Sequence, residues 1–189
     1  MPEKDEPNRE KILQIAMDLF YQKGYSNTSV HEVVVASGIS IDQVDYYFKS
    51  KGELLSAVIE LRKEDLQQKI LEWEALHPEP SDRLRLIVQI MQENSDKGSR
   101  YGCPVGSLNV GLPNDDEERR LLSRSLFDIL LVWCERQLQA MGKGAMSKML
   151  AIHLMSMSQG GVMISGIYQD KQLMLGECER INLWIDSLS

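Results

Sequence analysis

Between Ser37 and Leu55 the chain reads SGISIDQVDYYFKSKGELL, a run of small polar, acidic and phenolic side chains of the kind that can read nucleic-acid bases and phosphates. Gln43 carries an amide whose donor and acceptor match adenine, and the Asp42 carboxylate can accept from cytosine N4. Ser29 and Ser40 offer hydroxyls and helix N-terminal amides to phosphate oxygens, and Tyr46 and Tyr47 offer phenolic donors. Ile41, next to the turn serine, belongs to the same surface. The charges run the other way: no Lys or Arg stands between Gly38 and Lys49, where Asp42 and Asp45 do. Over residues 1–56, six cations (Lys4, Arg9, Lys11, Lys23, Lys49, Lys51) face nine acids (Glu3, Asp5, Glu6, Glu10, Asp18, Glu32, Asp42, Asp45, Glu53), a net of -3. Surfaces that bind DNA are usually basic. Asp42 and Asp45 also admit a structural role, since the dipole at a helix N-terminus favours acids.

A second set of reactive or soft side chains lies further on. Cys103 precedes Pro104, which suits the first position of a helix, so the sulfur can sit near unpaired amides. With Arg100 close in sequence, that placement favours a thiolate and makes Cys103 a thiol-sensor candidate; the alternative is a small cysteine chosen for packing. Cys134 and Cys178 read as core or interface residues. His153 falls on the apolar stripe Met146, Met149, Leu150 and Met157, either as a hydrogen-bonded core residue or as a ligand contact. Met91, Trp133 and Met157 could wall an adaptable apolar pocket or simply pack. No Ser/His/Asp set, carboxylate pair, phosphate loop, CxxC pair or His cluster stands out, so neither an enzyme nor a metal or cofactor site is expected.

Helices must hold these residues. In 189 residues, 43% of them apolar, hydrophobic positions recur at helical spacing and no β-branched alternating run appears, which predicts an all-α fold. Ile12, Ile15, Ala16, Leu19 and Phe20 share one face of a first helix that stops at Gly24. Ser29 with Glu32 and Ser40 with Gln43 form capping boxes for two short helices around Gly38, a helix-turn-helix pattern. Ser50 with Glu53 starts a fourth helix that runs to HPEPSD, where two prolines end it. Leu84, Ile87, Val88 and Met91 mark a fifth, and SDKGSRYGCPVGS reads as a loop. Long helices are predicted over 115–141, 145–168 and 171–188. Small residues in SQGGVMISG would admit a close neighbour, which suggests a homodimer packed through Gly160, Gly161, Ile164, Ile181 and Ile185. The expected units are 1–50, a helix-turn-helix head, and 51–189.

The net charge of -7 argues against a protein that coats nucleic acid without specificity. No apolar run approaching the roughly 18 residues of a membrane span is expected, and the charged start is no signal peptide. A soluble cytoplasmic protein with reduced thiols follows.

The segment ILQIAMDLFYQKGYSNTSVHEVVVASGIS with the later YYFKSKGELLSAV resembles the TetR family of bacterial transcriptional regulators. YGCPVGSLNVGL, LFDILLVWCERQL and SQGGVMISGIYQD look like one branch of that family, some of whose members sense electrophiles or oxidants through the cysteine of the GC motif. The resemblance implies a homodimeric repressor. Its C-terminal domain would bind a small apolar or electrophilic effector, and its two heads would read a palindromic DNA operator. It also implies that Lys51 contacts a phosphate. Family members usually follow the turn serine with Lys, Gly or Pro, a small residue, Leu or Phe, then a phosphate-contacting Tyr. Here those positions hold Ile41, Asp42, Gln43, Val44 and Asp45, which leaves open a dimeric ligand- or protein-binding module with weakened DNA binding.

Overall fold

The computed structural model describes residues 6–107 and 117–188. Among these the chain is helical throughout: α1 (Glu6–Lys23), α2 (Val30–Ser37), α3 (Ile41–Tyr47), α4 (Lys51–Leu76), α5 (Pro80–Glu93), α6 (Ser95–Tyr101), α7 (Glu117–Ala140), a 3-10 turn (Gly144–Met146), α8 (Ser147–Tyr168) and α9 (Lys171–Ser187). Packing divides it into two compact units, Met1–Asp65 with Ser107–Leu126, and Leu66–Gly106 with Phe127–Ser189. The boundary at Asp65 falls inside α4.

In the first unit Ile12, Ala16 and Phe20 of the predicted α1 stripe are buried, as are Val33 of α2, Val44 of α3 and Leu54, Leu55, Val58 and Ile59 of α4. Each of these Val, Leu, Ile and Phe side chains removed from water contributes roughly 1.5–3 kcal/mol. Gly24 ends α1 at φ +84°, a left-handed cap that Gly adopts without penalty. Buried Thr28 donates its hydroxyl to the Gly24 and Leu19 carbonyls at 2.9 and 3.3 Å, tying the turn after Gly24 to the last turn of α1.

The second unit has its own core. The stripe Leu84, Ile87, Val88 and Met91 of α5 packs with Trp133, Cys134 and Leu138 of α7, Leu154 and Val162 of α8, and Met174, Cys178, Ile181 and Ile185 of α9. Arg83 caps the end of α4, donating to the His77 carbonyl at 2.7 Å and the Glu74 carbonyl at 3.3 Å. The expected loop after α5 begins instead as a helix, α6. Its seven residues have poor helix propensity, and tertiary packing holds them: Gly98 lies so close to α9 that a Cβ there would stand 2.7 Å from the Met174 methyl. Asp96 pairs with Lys171 at 2.8 Å, and Gln169 donates to the Ser99 carbonyl at 3.2 Å.

Three further expectations need correction. Ile181 and Ile185 are 0% exposed in the single chain, so they have no surface to offer a partner. Gly161 also faces inward, where a Cβ would stand 3.0 Å from Glu177 Cγ. Of the five interface candidates, Gly160 faces open space and Ile164 is 46% exposed. His153 is exposed rather than in the core, its ring edge-on to Trp184 at 5.2 Å. Finally, Gly144–Tyr168 is long and apolar enough to cross a membrane by length and composition, contrary to expectation. Its inner face, Ala151, Leu154, Ser158, Val162 and Ser165, is nevertheless buried within the chain, and its outer face is apolar as well.

Candidate nucleic-acid interface

Short-range hydrogen bonds set the helix-turn-helix. The Ser29 hydroxyl accepts from the Glu32 amide at 3.1 Å while the Ser29 amide donates to Glu32 Oε2 at 2.8 Å, which completes the predicted capping box. Gly38 closes α2 at φ +66°, its amide donating to the Val34 carbonyl. Ile39 plugs the turn, buried. Ser40 then caps α3 by accepting from the Gln43 amide at 3.4 Å. This second box is one-armed, because the Gln43 side-chain oxygen takes the Ser40 hydroxyl at 3.3 Å and not its backbone amide.

On α3, Val44 points inward, Tyr47 is half-buried and Phe48 plugs the exit. Ile41, Asp42, Gln43, Asp45 and Tyr46 are exposed, as a reading face requires. Lys49 folds back to donate to the Asp45 carbonyl at 2.7 Å and lies over the Tyr46 ring at 5.9 Å. Lys51 Nζ sits 4.2 Å from the centroid of Tyr25. Partial burial lowers the pKa of Lys51, and the nearby charge of Glu32 opposes that shift. The head's cations beside α3 are therefore gathered at the α3–α4 junction, and its carboxylates lie on α3 itself.

Ser29 fits its expected role less well. Its amide and hydroxyl both donate to Glu32 Oε2, at 2.8 and 3.0 Å, which leaves neither donor for a phosphate. A hydrogen bond from Lys23 at 2.7 Å, followed by those from Ser29, pulls the Glu32 carboxyl down to about 2. Lys23, Lys49 and Glu32 were not singled out for this surface by sequence reasoning. The Lys49 contact, at i to i+4 on the end of a helix, had a readable local signal.

The effector candidates do not converge on one described site. Met91 is buried beneath Gly161, and Met157, Gly160, Gly161, Ile164 and Leu173 line a cleft of about 200 Å³. That is smaller than the roughly 300–1,000 Å³ of most ligand pockets. Trp133 lies elsewhere, its ring 5.3 Å from Trp73 and its indole donating to Glu74 Oε1 at 2.9 Å. The Glu74, Arg83 and Gln137 network around it escaped sequence reasoning, because its members lie 54 to 63 residues from their partners across α7. Cys103 is half-buried, and its sulfur accepts from the Gly106 amide at 3.4 Å. Arg100 lies over Tyr101 at 5.9 Å. The remainder of the YGCPVGSLNVGL motif from Leu108 onward lies outside the described residues.

A packed three-helix head whose α2 and α3 meet at a glycine turn, with the outer face of α3 exposed, defines a helix-turn-helix DNA-binding class. Residues 12–58 match the family model for bacterial regulatory proteins of the tetR family. Over 170 residues the chain is 30% identical to an uncharacterized HTH-type transcriptional regulator in the lacX 3′ region of Lactococcus lactis subsp. lactis, covering 88% of this chain and 87% of that protein. A TetR-family transcriptional regulator from Agrobacterium tumefaciens has the same fold, with a TM-score of 0.84 at 19% identity over 95% of this chain and 97% of that one. The reduced form of Escherichia coli NemR superposes with a TM-score of 0.82 at 16% identity, over 93% and 95% of the two chains. The chain belongs to the TetR family of DNA-binding transcriptional regulators.

Proposed function

We propose that the protein is a homodimeric repressor that leaves a palindromic operator when a small apolar or electrophilic effector engages its C-terminal region. Residues 1–50 act as the DNA-reading head and 51–189 as the regulatory and dimerisation part. The observation that carries the dimer is the outer face of α8 and α9. Met149, Ile152, Met163, Ile164 and Ile167 are exposed at helical spacing on α8, and Leu173 and Leu183 on α9. An apolar face of that extent calls for a partner surface, and a two-fold pairing of α8 and α9 covers it with itself.

Phosphate contacts come from Lys51, Tyr46, Tyr47 and Ser40. The effector favours a dimer whose heads no longer match major grooves one helical turn apart, about 34–36 Å. Met91 and Met157 contribute to the regulatory site, and Cys103 is its thiol, held by the Gly106 amide. The test is fluorescence anisotropy on DNA flanking the protein's own gene, at several salt concentrations. Specific binding should weaken steeply with salt, Lys51→Ala should lower affinity and reduce the salt slope by about 2, one for each subunit, and N-ethylmaleimide should release the wild type but not Cys103→Ser. Absence of selective binding by the wild type would refute the repressor and leave a DNA-free binding module.

A further inference from the structure

The two aspartates on α3 have distinct positions. Asp42 is in the first turn of α3, where the helix dipole accounts for an acid. Asp45 lies a turn further on, beyond the reach of that effect. Both side chains are exposed, and the Asp45 backbone carbonyl accepts a bond from Lys49 at 2.7 Å. Spaced i, i+3, they share the outer face of α3 and stand about 4.5 Å apart along its axis, comparable with the roughly 3.4 Å rise between base pairs.

We propose that Asp42 and Asp45 are specificity-determining residues, each accepting a hydrogen bond from the N4 amino group of one of two neighbouring cytosines in the major groove. This rests on the DNA-binding reading of the α3 face. An ionised carboxylate can only accept. Guanine offers N7 and O6 acceptors, and thymine an acceptor beside a methyl group, so both repel it or leave it unpaired. Adenine has a donor, but N7 would face the second carboxylate oxygen. Cytosine places its amino donor beside a C–H edge and meets no such conflict.

The distribution of charge suits this division of labour. Lys49 and Lys51, at the α3–α4 junction, are placed for the phosphates, which position the head, and the carboxylates are left for the bases, which specify the sequence. Two anions on the reading face also penalise every duplex that lacks the amino groups. The aspartates therefore suppress non-specific binding, at the expense of total affinity.

The test uses the full chain and in vitro selection from randomised duplexes. The wild type should enrich half-sites with two neighbouring cytosines on one strand. Replacing either by 2-pyrimidinone, which lacks the amino group, should weaken binding about tenfold. Asp42→Ala should erase the preference at one of the two positions and Asp45→Ala at the other, and both should bind scrambled duplex more tightly than wild type. Asp42→Asn keeps an acceptor and should retain the base preference in part. A selected site that loses nothing with 2-pyrimidinone, or whose base profile is unchanged by both alanine variants, overturns the proposal and leaves the regulator reading standing. A wild type that enriches no sequence overturns both.

Discussion

Glu74 should be one of the most sensitive polar positions in the second unit, and the structure allows the cost of its removal to be apportioned. Its Oε1 accepts from Trp133 Nε1 at 2.9 Å, Arg136 Nη2 at 3.4 Å and Gln137 Nε2 at 3.5 Å. Trp133 is 1% exposed, so Glu74→Ala leaves its indole N–H buried without a partner, which costs about 1–3 kcal/mol. Gln137, at 3% exposure, keeps its bond to the Trp133 carbonyl at 3.4 Å and loses little. Arg136 is mostly exposed, and such an ion pair is worth about 0–1 kcal/mol. The indole bond therefore dominates. Glu74→Ala should lose about 2 kcal/mol, or roughly 4–8 °C in Tm for a chain of this size. Glu74→Gln keeps the acceptor and should lose less than about 1 kcal/mol, and Arg136→Ala should be nearly silent. Thermal and urea unfolding at one protein concentration measure all three. If Glu74→Gln falls as far as Glu74→Ala, or Arg136→Ala matches it, charge and not the buried indole governs the site.

Ile164→Arg, on the exposed face of α8, should yield folded monomers in analytical ultracentrifugation, and Ile185→Arg should unfold the chain, because a guanidinium at a fully buried position has no partner; a dimer unchanged by Ile164→Arg would move the interface elsewhere. Burial pushes the Cys134 thiol up to about 12 and the Cys178 thiol up to about 11, so near neutral pH half-buried Cys103 should react first with N-ethylmaleimide. Equal labelling of all three by mass spectrometry would remove it as a sensor. The Glu32 carboxyl is held at about 2 in the fold against an ordinary 4.5, so its contribution to stability is present above about pH 4.5 and is lost as pH falls towards 2. The stability gap between wild type and Glu32→Gln should therefore close over that range; a gap that stays constant down to pH 2 would contradict the assigned hydrogen bonds.

What could be read along the chain was local. The Ser29–Glu32 box, the left-handed Gly24 and Gly38, and the buried stripes of α1, α5 and α9 all follow from interactions spanning three or four residues, and such interactions are printed in the residue order. The exposure of Asp42, Gln43 and Tyr46 on α3 is the complement, at helical spacing, of the burial of Val44 and Phe48. Periodicity says that an apolar stripe is covered, however, and is silent on what covers it. Ile181 and Ile185 repeat on α9 as interface residues would, yet they are buried in the core of the same chain, and the face left open on α8 and α9 belongs to Ile164 and Leu183. The apolar surface of α8 extends round both sides, so His153 could not be placed by its stripe and lies outside on Trp184. Helix α6 depends on Gly98 meeting Met174 from 76 residues further along, and the Trp133 indole on Glu74 from 59 residues before it. Pairings at that separation carry no periodic signal; they exist only once packing has closed the intervening chain.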